Sequence, residues 1–142
     1  MFVIGLPMLM DRSAILVIDD EQDTRELMEL ELSAEGYDVE GAADGFSAVR
    51  LVRGGRRFDL AIADYRMPGM NGLETLRALK ALDPDMQVIV ASGCASRESV
   101  RECLQSGAHG YLEKPFDFSE LAVMIRSALS VNALASHGSI LR

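Results

Sequence analysis

Short apolar runs alternate with longer segments of helical periodicity along most of the chain. The first run, Ala14–Ile18, is continuously apolar and rich in β-branched residues, which is typical of a strand buried on both faces of a sheet. Four further runs of this kind predict four more strands. They lie at residues 37–42, 58–63, 86–91 and 109–112.

The segments that separate and follow these runs predict five helices. Residues 22–35 place Leu27, Met28 and Leu32 near helical spacing, and Gly36 follows as a stop signal. The later helices carry start signals of the kind that satisfies free backbone amides. These signals are a capping Asp44, a capping box of Asn71 and Glu74, a capping Ser96, and the pair Asp117 and Glu120.

Strands that alternate with helices over short loops favour a parallel sheet with right-handed crossovers. We therefore expect an α/β fold, a doubly wound five-stranded parallel sheet with helices on both faces. In such sheets, ligands bind outside the carboxyl ends of the strands, at the point where the strand order reverses. The residues directly after each strand are thus the first candidates for function.

Aspartates, a serine and a lysine follow four of the predicted strands. Asp19 and Asp20 come after the first strand, Asp64 after the third, Ser92 after the fourth and Lys114 after the fifth. Three carboxylates at one edge repel each other, and a hard cation such as Mg²⁺ relieves the repulsion. A carboxylate is also a nucleophile toward phosphorus, and a metal ion, an ammonium and a hydroxyl can each hold one phosphoryl oxygen. The pattern indicates magnesium-assisted phosphoryl chemistry.

Four fragments at these strand ends resemble the receiver domain of two-component response regulators. They occur in the family's order, and the resemblance covers about residues 13–130. It implies the flavodoxin-like strand order 2-1-3-4-5 and a phosphorylation-dependent signalling switch, not an enzyme. The fragments are VIDDE at Val17–Glu21, DYRMPGMNG at Asp64–Gly72, ASG at Ala91–Gly93 and YLEKPF at Tyr111–Phe116.

The resemblance also implies a role for each polar residue. Asp64 would be the phospho-acceptor, and Ser92 and Lys114 would contact the phosphoryl group. Ser92 and Tyr111 would act as switch residues, and Pro115 matches the proline that usually follows a cis peptide bond in this family. The Mg²⁺ ligands would be Asp19, largely through water, Asp20, a carboxylate oxygen of Asp64 and the backbone carbonyl of Arg66.

The partners that the resemblance implies are proteins. A sensor histidine kinase or a histidine phosphotransfer protein would donate the phosphoryl group. The output face would consist of the fourth helix, the fifth strand and the fifth helix. That face would bind a downstream effector protein or form a homodimer.

Composition narrows the partner classes further. The chain has 142 residues, which fits one domain, and a formal net charge of −8 from 14 basic and 22 acidic residues. This charge argues against direct binding to nucleic acid and against binding to an anionic membrane surface. Two cysteines and two histidines, without metal-ligand spacing, disfavour a disulfide framework and a zinc site. We expect a reduced, cytoplasmic protein.

The expected domain organisation is simple. Residues 1–12 form an N-terminal extension that we expect to be disordered, residues 13–130 form the receiver domain, and residues 131–142 form a C-terminal tail. The receiver is expected to stand alone, without an attached output domain. Its response would then pass through binding to another protein.

Three alternatives stay open at this point. A small phosphatase with an aspartyl nucleophile would need a second acid–base group near Asp64, which Tyr65 and Arg66 do not evidently supply. A degenerate receiver would be a phosphorylation-independent binding module, although all five pocket residues are present. A flavodoxin-like cofactor protein would need a phosphate-cradling loop after the first strand, where acidic residues stand instead.

Overall fold

Five strands and five helices alternate along the computed structural model of the protein, which describes residues 12–141. The expected extension at residues 1–12 thus lies almost wholly outside the described residues. The strands are β1 (Ala14–Ile18), β2 (Asp38–Ala42), β3 (Leu60–Asp64), β4 (Gln87–Ser92) and β5 (Gly110–Glu113). The helices are α1 (Gln22–Ala34), α2 (Gly45–Arg53), α3 (Gly72–Leu82), α4 (Arg97–Gln105) and α5 (Phe118–Leu141).

The strands form one parallel sheet in the order β2-β1-β3-β4-β5, which confirms the predicted fold class and strand order. The order reverses at β1, because β1 pairs with β2 on one side and with β3 on the other. Ile18 is aligned with Ala63, and Asp64 is aligned with Ala91. The carboxyl ends of β1, β3 and β4 therefore meet at one edge of the sheet.

Apolar side chains pack in two layers, one on each face of the sheet. Leu16 of β1 belongs to the layer that contains Leu76 of α3. Ile15 belongs to the opposite layer, together with Leu32 of α1 and Ile125 of α5. All five side chains are completely buried, and each burial stabilises the fold by roughly 1.5–3 kcal/mol. Burial on both faces explains why β1 is continuously apolar.

Three helices begin at the caps that the sequence predicts. Asp44 accepts a hydrogen bond of 2.7 Å from the amide of Ser47 at the start of α2. Asn71 and Glu74 each accept a hydrogen bond of 2.9 Å from the other's amide, which completes the capping box of α3. Ser96 accepts a hydrogen bond of 3.0 Å at the start of α4. Such caps contribute about 1 kcal/mol each.

The last helix, α5, continues to Leu141, through most of the segment expected to form a C-terminal tail. Asn132 attaches this helix to the amino-terminal edge of the sheet. The side-chain Nδ2 of Asn132 donates to the backbone carbonyl of Asp59 at 3.4 Å, and its Oδ1 accepts a hydrogen bond of 3.2 Å from the side chain of Gln87. None of the described helices has the combination of length and apolar character that crossing a membrane requires.

Candidate functional site

Three aspartates meet at the carboxyl edge of the sheet. Asp19 and Asp20 follow β1, and Asp64 is the last residue of β3. One carboxylate oxygen from each residue lies within 4.8 Å of the other two. Asp19 is buried, Asp64 is half-buried and Asp20 is exposed, so the cluster opens to solvent on one side.

Lys114 joins this cluster from the end of β5. Its ammonium Nζ lies 3.2 Å from Asp64 Oδ1 and 3.4 Å from Asp19 Oδ2. Its backbone amide donates to the carbonyl of Ser92 at 2.8 Å, which extends the pairing of β4 and β5 beyond the strands. The Lys114–Pro115 peptide bond is cis. The structure therefore places the lysine between two of the three carboxylates.

Burial and neighbouring charges act on the two central ionisable groups. Burial raises the pKa of Asp64 above its usual value, Lys114 opposes this shift, and the negative charges of Asp19 and Asp20 add to it. Burial disfavours the Lys114 ammonium, but the carboxylates of Asp19 and Asp64 outweigh burial and raise the pKa of Lys114. The lysine therefore stays charged, while ionised Asp64 is held in an unfavourable environment.

Hydrogen bonds fix the turn that carries Asp19. The Asp19 carboxylate accepts from the amide of Glu21 at 2.9 Å, and the Asp19 amide donates to the carbonyl of Ala42 at 3.1 Å. Arg25 donates through Nη1 to the carbonyl of Asp19 at 2.8 Å. The sequence pattern does not predict this role for Arg25, whose only signal is its place on the first helix after the aspartate pair.

Ser92 ends β4 beside the aspartate cluster and is 1% exposed. Asp64 is aligned with Ala91, so Ser92 stands one residue further along the neighbouring strand. The Ser92 hydroxyl oxygen accepts a hydrogen bond of 3.1 Å from the amide of Cys94. Because the oxygen acts as an acceptor in this bond, the hydroxyl proton can be donated to another group.

The loop from β3 to α3 is packed tightly behind Asp64. The amide of Gly72 donates to the carbonyl of Tyr65 at 2.7 Å. A Cβ atom at Gly72 would lie 2.6 Å from Tyr65 Cα and 2.9 Å from the Asp64 carbonyl oxygen, so only glycine fits. Arg66, whose carbonyl is the remaining expected metal ligand, lies in this loop with its side chain exposed.

Tyr111 on β5 packs against Tyr65, the residue that directly follows Asp64. The ring centroids are 6.3 Å apart, and the ring planes are inclined by 47°. The Tyr111 hydroxyl oxygen is buried and has no hydrogen-bond partner among the described residues. The sequence does not predict this contact, because it depends on the register between strands that are distant along the chain. It links the expected switch residue to the Asp64 loop.

The donor set of this edge fits Mg²⁺. Three carboxylates supply hard oxygen ligands, which this ion prefers, and one oxygen of each lies within 4.8 Å of the other two. Three carboxylates and one ammonium leave two excess negative charges in the pocket. A divalent cation would balance this charge and allow an anionic phosphoryl group to approach.

Comparison with known proteins adds independent information. Residues 15–126 match the response regulator receiver domain family. Transcriptional regulatory protein ZraR of Escherichia coli (strain K12) is 38% identical over 120 residues, which make up 84% of this chain and 27% of ZraR. Response regulator MprA of Mycobacterium sp. (strain KMS) is 39% identical over 118 residues, which make up 81% of this chain and 50% of MprA. The chain thus spans half or less of the length of these curated relatives.

Solved structures agree with this match. The crystal structure of a CheY-like response regulator receiver domain protein from Methanospirillum hungatei JF-1 is similar with a TM-score of 0.84 and 30% identity. The similarity covers 88% of this chain and 99% of that protein. The family match extends over most of the chain and includes every strand end that forms the acidic pocket. The chain therefore belongs to the response regulator receiver domain family of two-component systems.

Proposed function

We propose that the protein accepts a phosphoryl group on Asp64 from a phosphohistidine in a sensor histidine kinase or a histidine phosphotransfer protein. The observation that carries this proposal is the 3.2 Å contact between Asp64 and Lys114 within the three-aspartate cluster. In the transfer, the N–P bond of the donor breaks and an O–P bond to the Asp64 carboxylate forms. The imidazole leaves with a proton from solvent.

Each pocket residue has a distinct part in this proposal. Lys114 holds one phosphoryl oxygen through its ammonium, and the Ser92 hydroxyl donates a hydrogen bond to another. Mg²⁺ would be held by Asp20, by a carboxylate oxygen of Asp64, by Asp19, largely through water, and by the backbone carbonyl of Arg66. When bound, Mg²⁺ neutralises the carboxylates and draws charge from the transferring group.

The response to phosphorylation passes through Ser92 and Tyr111 to a face made of α4, β5 and α5. The backbone bond from Lys114 to Ser92 and the contact of Tyr111 with Tyr65 support this route, because both connect β5 to the pocket. The phosphoryl group shifts a two-state equilibrium of that face. The partner is a downstream effector protein or a second copy of the chain, and the proposed place of action is the cytoplasm.

Two rival functions make different predictions. A phosphorylation-independent binding module would not need the aspartates and Lys114 to converge, as they do here. A phosphatase with an aspartyl nucleophile would need an acid–base group beside Asp64. The charged groups that act on Asp64 are Lys114, Asp19 and Asp20, and the lysine stays protonated. The switch therefore fits the pocket better than either rival.

The test is phosphorylation of the purified protein by phosphoramidate with Mg²⁺, followed by intact-mass spectrometry. We expect one phosphoryl group on the unaltered protein and none on Asp64→Asn. Asp85→Asn, at an exposed position outside the pocket, should be labelled normally. A label on Ser92 would refute the assignment of Asp64. No label on any variant would favour the binding module, and repeated release of phosphate from esters would favour the phosphatase.

The proposed output face is tested separately. The mass of the protein in solution is measured by light scattering with and without beryllofluoride, which mimics the phosphoryl group on the aspartate. A doubled mass with beryllofluoride supports a homodimer. An unchanged mass rules out the homodimer and leaves the effector protein as the partner of this face.

A further inference from the structure

A groove of about 600 Å³ lies between α2 and α3, and none of its lining residues belongs to the acidic pocket or to the proposed output face of α4, β5 and α5. Val49, Met70 and Ala78 line it with apolar surface. Phe46 also lines the groove, and its side chain is 55% exposed. Its ring packs so closely on Gly69 that a Cβ atom there would lie 2.8 Å from the ring. One edge of the exposed ring therefore contacts the loop from β3 to α3.

Two cationic side chains also line this groove. Arg50 and Arg53 line it from α2, and both are exposed. Neither forms an ion pair within the part of the chain that the structure describes. The stretch from residue 45 to residue 58 contains four arginines and no acidic residue, with Asp44 and Asp59 directly at its two ends, although the whole chain carries a net charge of −8. Hydrogen bonds from Ser47 lower the pKa of Asp44 and the charge of Arg50 adds to this shift, so Asp44 balances part of the charge of Arg50, whereas Arg53 has no such neighbour among the described ion pairs. Arginines are therefore concentrated in this stretch, although the chain as a whole is acidic.

Contacts within the fold explain only some of the arginines in this stretch. Arg56 pairs with Glu40, and its guanidinium lies 5.3 Å from the centre of the Phe58 ring, so this arginine is engaged within the fold. Arg50 and Arg53 also favour the carboxyl end of α2 through its dipole. The helix dipole explains the arginines but not the apolar groove beside them. An apolar groove next to exposed cations indicates a binding surface.

We propose that this groove binds an acidic amphipathic helix of a partner protein. The apolar side of such a helix would cover Phe46, Met70 and Ala78, and its carboxylates would pair with Arg50 and Arg53. The concave shape does not suit a flat membrane, and the cations do not form the long stripe that a nucleic acid backbone needs. The net charge of −8 further opposes both of these polyanions.

The proposal goes beyond the receiver function and does not depend on it. None of the residues that line the groove belongs to the acidic pocket, so its occupant can be tested without a phosphoryl donor. The probe is a fluorescent synthetic helical peptide with leucines along one side and glutamates on both flanks. Its affinity for the 142-residue chain is measured by anisotropy at low and at high salt. A peptide with lysine in place of every glutamate serves as the comparison.

We expect the acidic peptide to bind, the lysine peptide not to bind, and salt to weaken the complex. The double variant Arg50→Gln/Arg53→Gln should lose about tenfold in affinity, as expected for two exposed charge pairs. Phe46→Ala should lose a similar factor, because it removes an aromatic anchor. Circular dichroism confirms that each variant is folded.

Matched controls separate the groove from general charge and apolar effects. Arg12→Gln/Arg126→Gln removes two exposed arginines elsewhere, and Leu30→Ala removes a side chain of α1 that is 69% exposed. Both should bind the peptide normally. Equal binding of the two peptides, or equal losses in the controls, would overturn the proposal. So would arginine-dependent binding to phosphatidylglycerol vesicles instead of the peptide, or arginine-dependent self-association, which would assign the groove to a membrane or to a second copy.

Discussion

Lys114 Nζ lies 3.2 Å from Asp64 Oδ1 and 3.4 Å from Asp19 Oδ2, so a single ammonium bridges carboxylates at the carboxyl ends of two neighbouring strands. This bridge only partly balances the pocket, because three carboxylates face one lysine. The pKa of Asp64 remains raised, first through burial and then through Asp19 and Asp20, despite the opposing effect of Lys114. The ionised acceptor therefore destabilises the metal-free fold.

The first prediction is that Asp64→Asn increases the free energy of unfolding at neutral pH when a chelator is present. The folded protein binds a proton at Asp64 more tightly than the unfolded chain does. Stability therefore falls as pH rises through the usual aspartate pKa toward the raised one, and the full penalty remains above it. Urea denaturation at several pH values measures this difference.

The advantage of Asp64→Asn should disappear as the pH falls below the usual aspartate pKa, because both forms are then neutral. Asp85→Asn is the matched control, since it makes the same chemical change at an exposed position outside the pocket. It should change stability little at any pH. A neutral or destabilising effect of Asp64→Asn at neutral pH would show that Lys114 fully compensates the acceptor's charge.

The second prediction concerns metal affinity. Asp20→Asn should weaken Mg²⁺ binding at least about tenfold, because it removes one of three charged ligands from the cluster. Isothermal titration calorimetry measures the affinity of each protein. Glu21→Gln removes a carboxylate from the next residue, outside the three-aspartate cluster, and should bind Mg²⁺ almost normally. Equal affinities for Asp20→Asn and the unaltered protein would refute the assignment of Asp20 as a ligand.

The third prediction concerns the loop behind the acceptor. Gly72→Ala should lower the free energy of unfolding by about 1–3 kcal/mol, because its Cβ would meet backbone atoms of Asp64 and Tyr65 that cannot move independently. Gly93→Ala is the control, since a Cβ at Gly93 meets no atom within 4 Å. Urea denaturation compares the two variants. Equal stabilities would mean that the loop adapts to the added methyl group without cost.

The sequence predicts most of the fold because the relevant signals are local. A strand buried on both faces must be continuously apolar, and β1 has the predicted bounds for this reason. The ends of strands are harder to predict from sequence, because buried residues extend beyond the hydrogen-bonded part of a strand. Phe58 is 4% exposed and belongs to the apolar run, yet β3 begins only at Leu60. The pattern of apolar residues indicates which residues are buried, whereas the bounds of a strand depend on its hydrogen bonds to neighbouring strands.

Features that depend on distant contacts could not be predicted. The carboxyl edge of a parallel sheet gathers Asp19, Asp64 and Lys114 by a general rule, so these residues could be grouped in advance. The ring contact of Tyr65 with Tyr111 follows no such rule. The same holds for α5 beyond residue 130, where Asn132 forms its hydrogen bonds with residues that are remote along the chain.

The fourth prediction concerns Arg66, two residues beyond the proposed acceptor. Its exposed side chain lines a surface hollow together with Tyr65 and Pro68, within the loop that follows Asp64. A guanidinium has five donors in a rigid fork that suits phosphate oxygens. In the phosphorylated protein, we expect Arg66 to pair with a phosphoryl oxygen and to obstruct the water that would attack in line with the Asp64 oxygen.

Arg66→Ala should therefore speed hydrolysis of the acyl phosphate about tenfold, because one partly exposed charged hydrogen bond contributes roughly 1.5 kcal/mol to the barrier. The measurement is the decay of phosphorylated protein in Mg²⁺ after the donor has been removed. Cys94→Ala is the control, since it truncates another exposed side chain near the pocket, a small thiol that neither pairs with phosphate nor covers it. Unchanged or slower decay in Arg66→Ala would rule out shielding by Arg66 and would leave the assignment of Asp64 intact, because phosphorylation itself does not require the guanidinium.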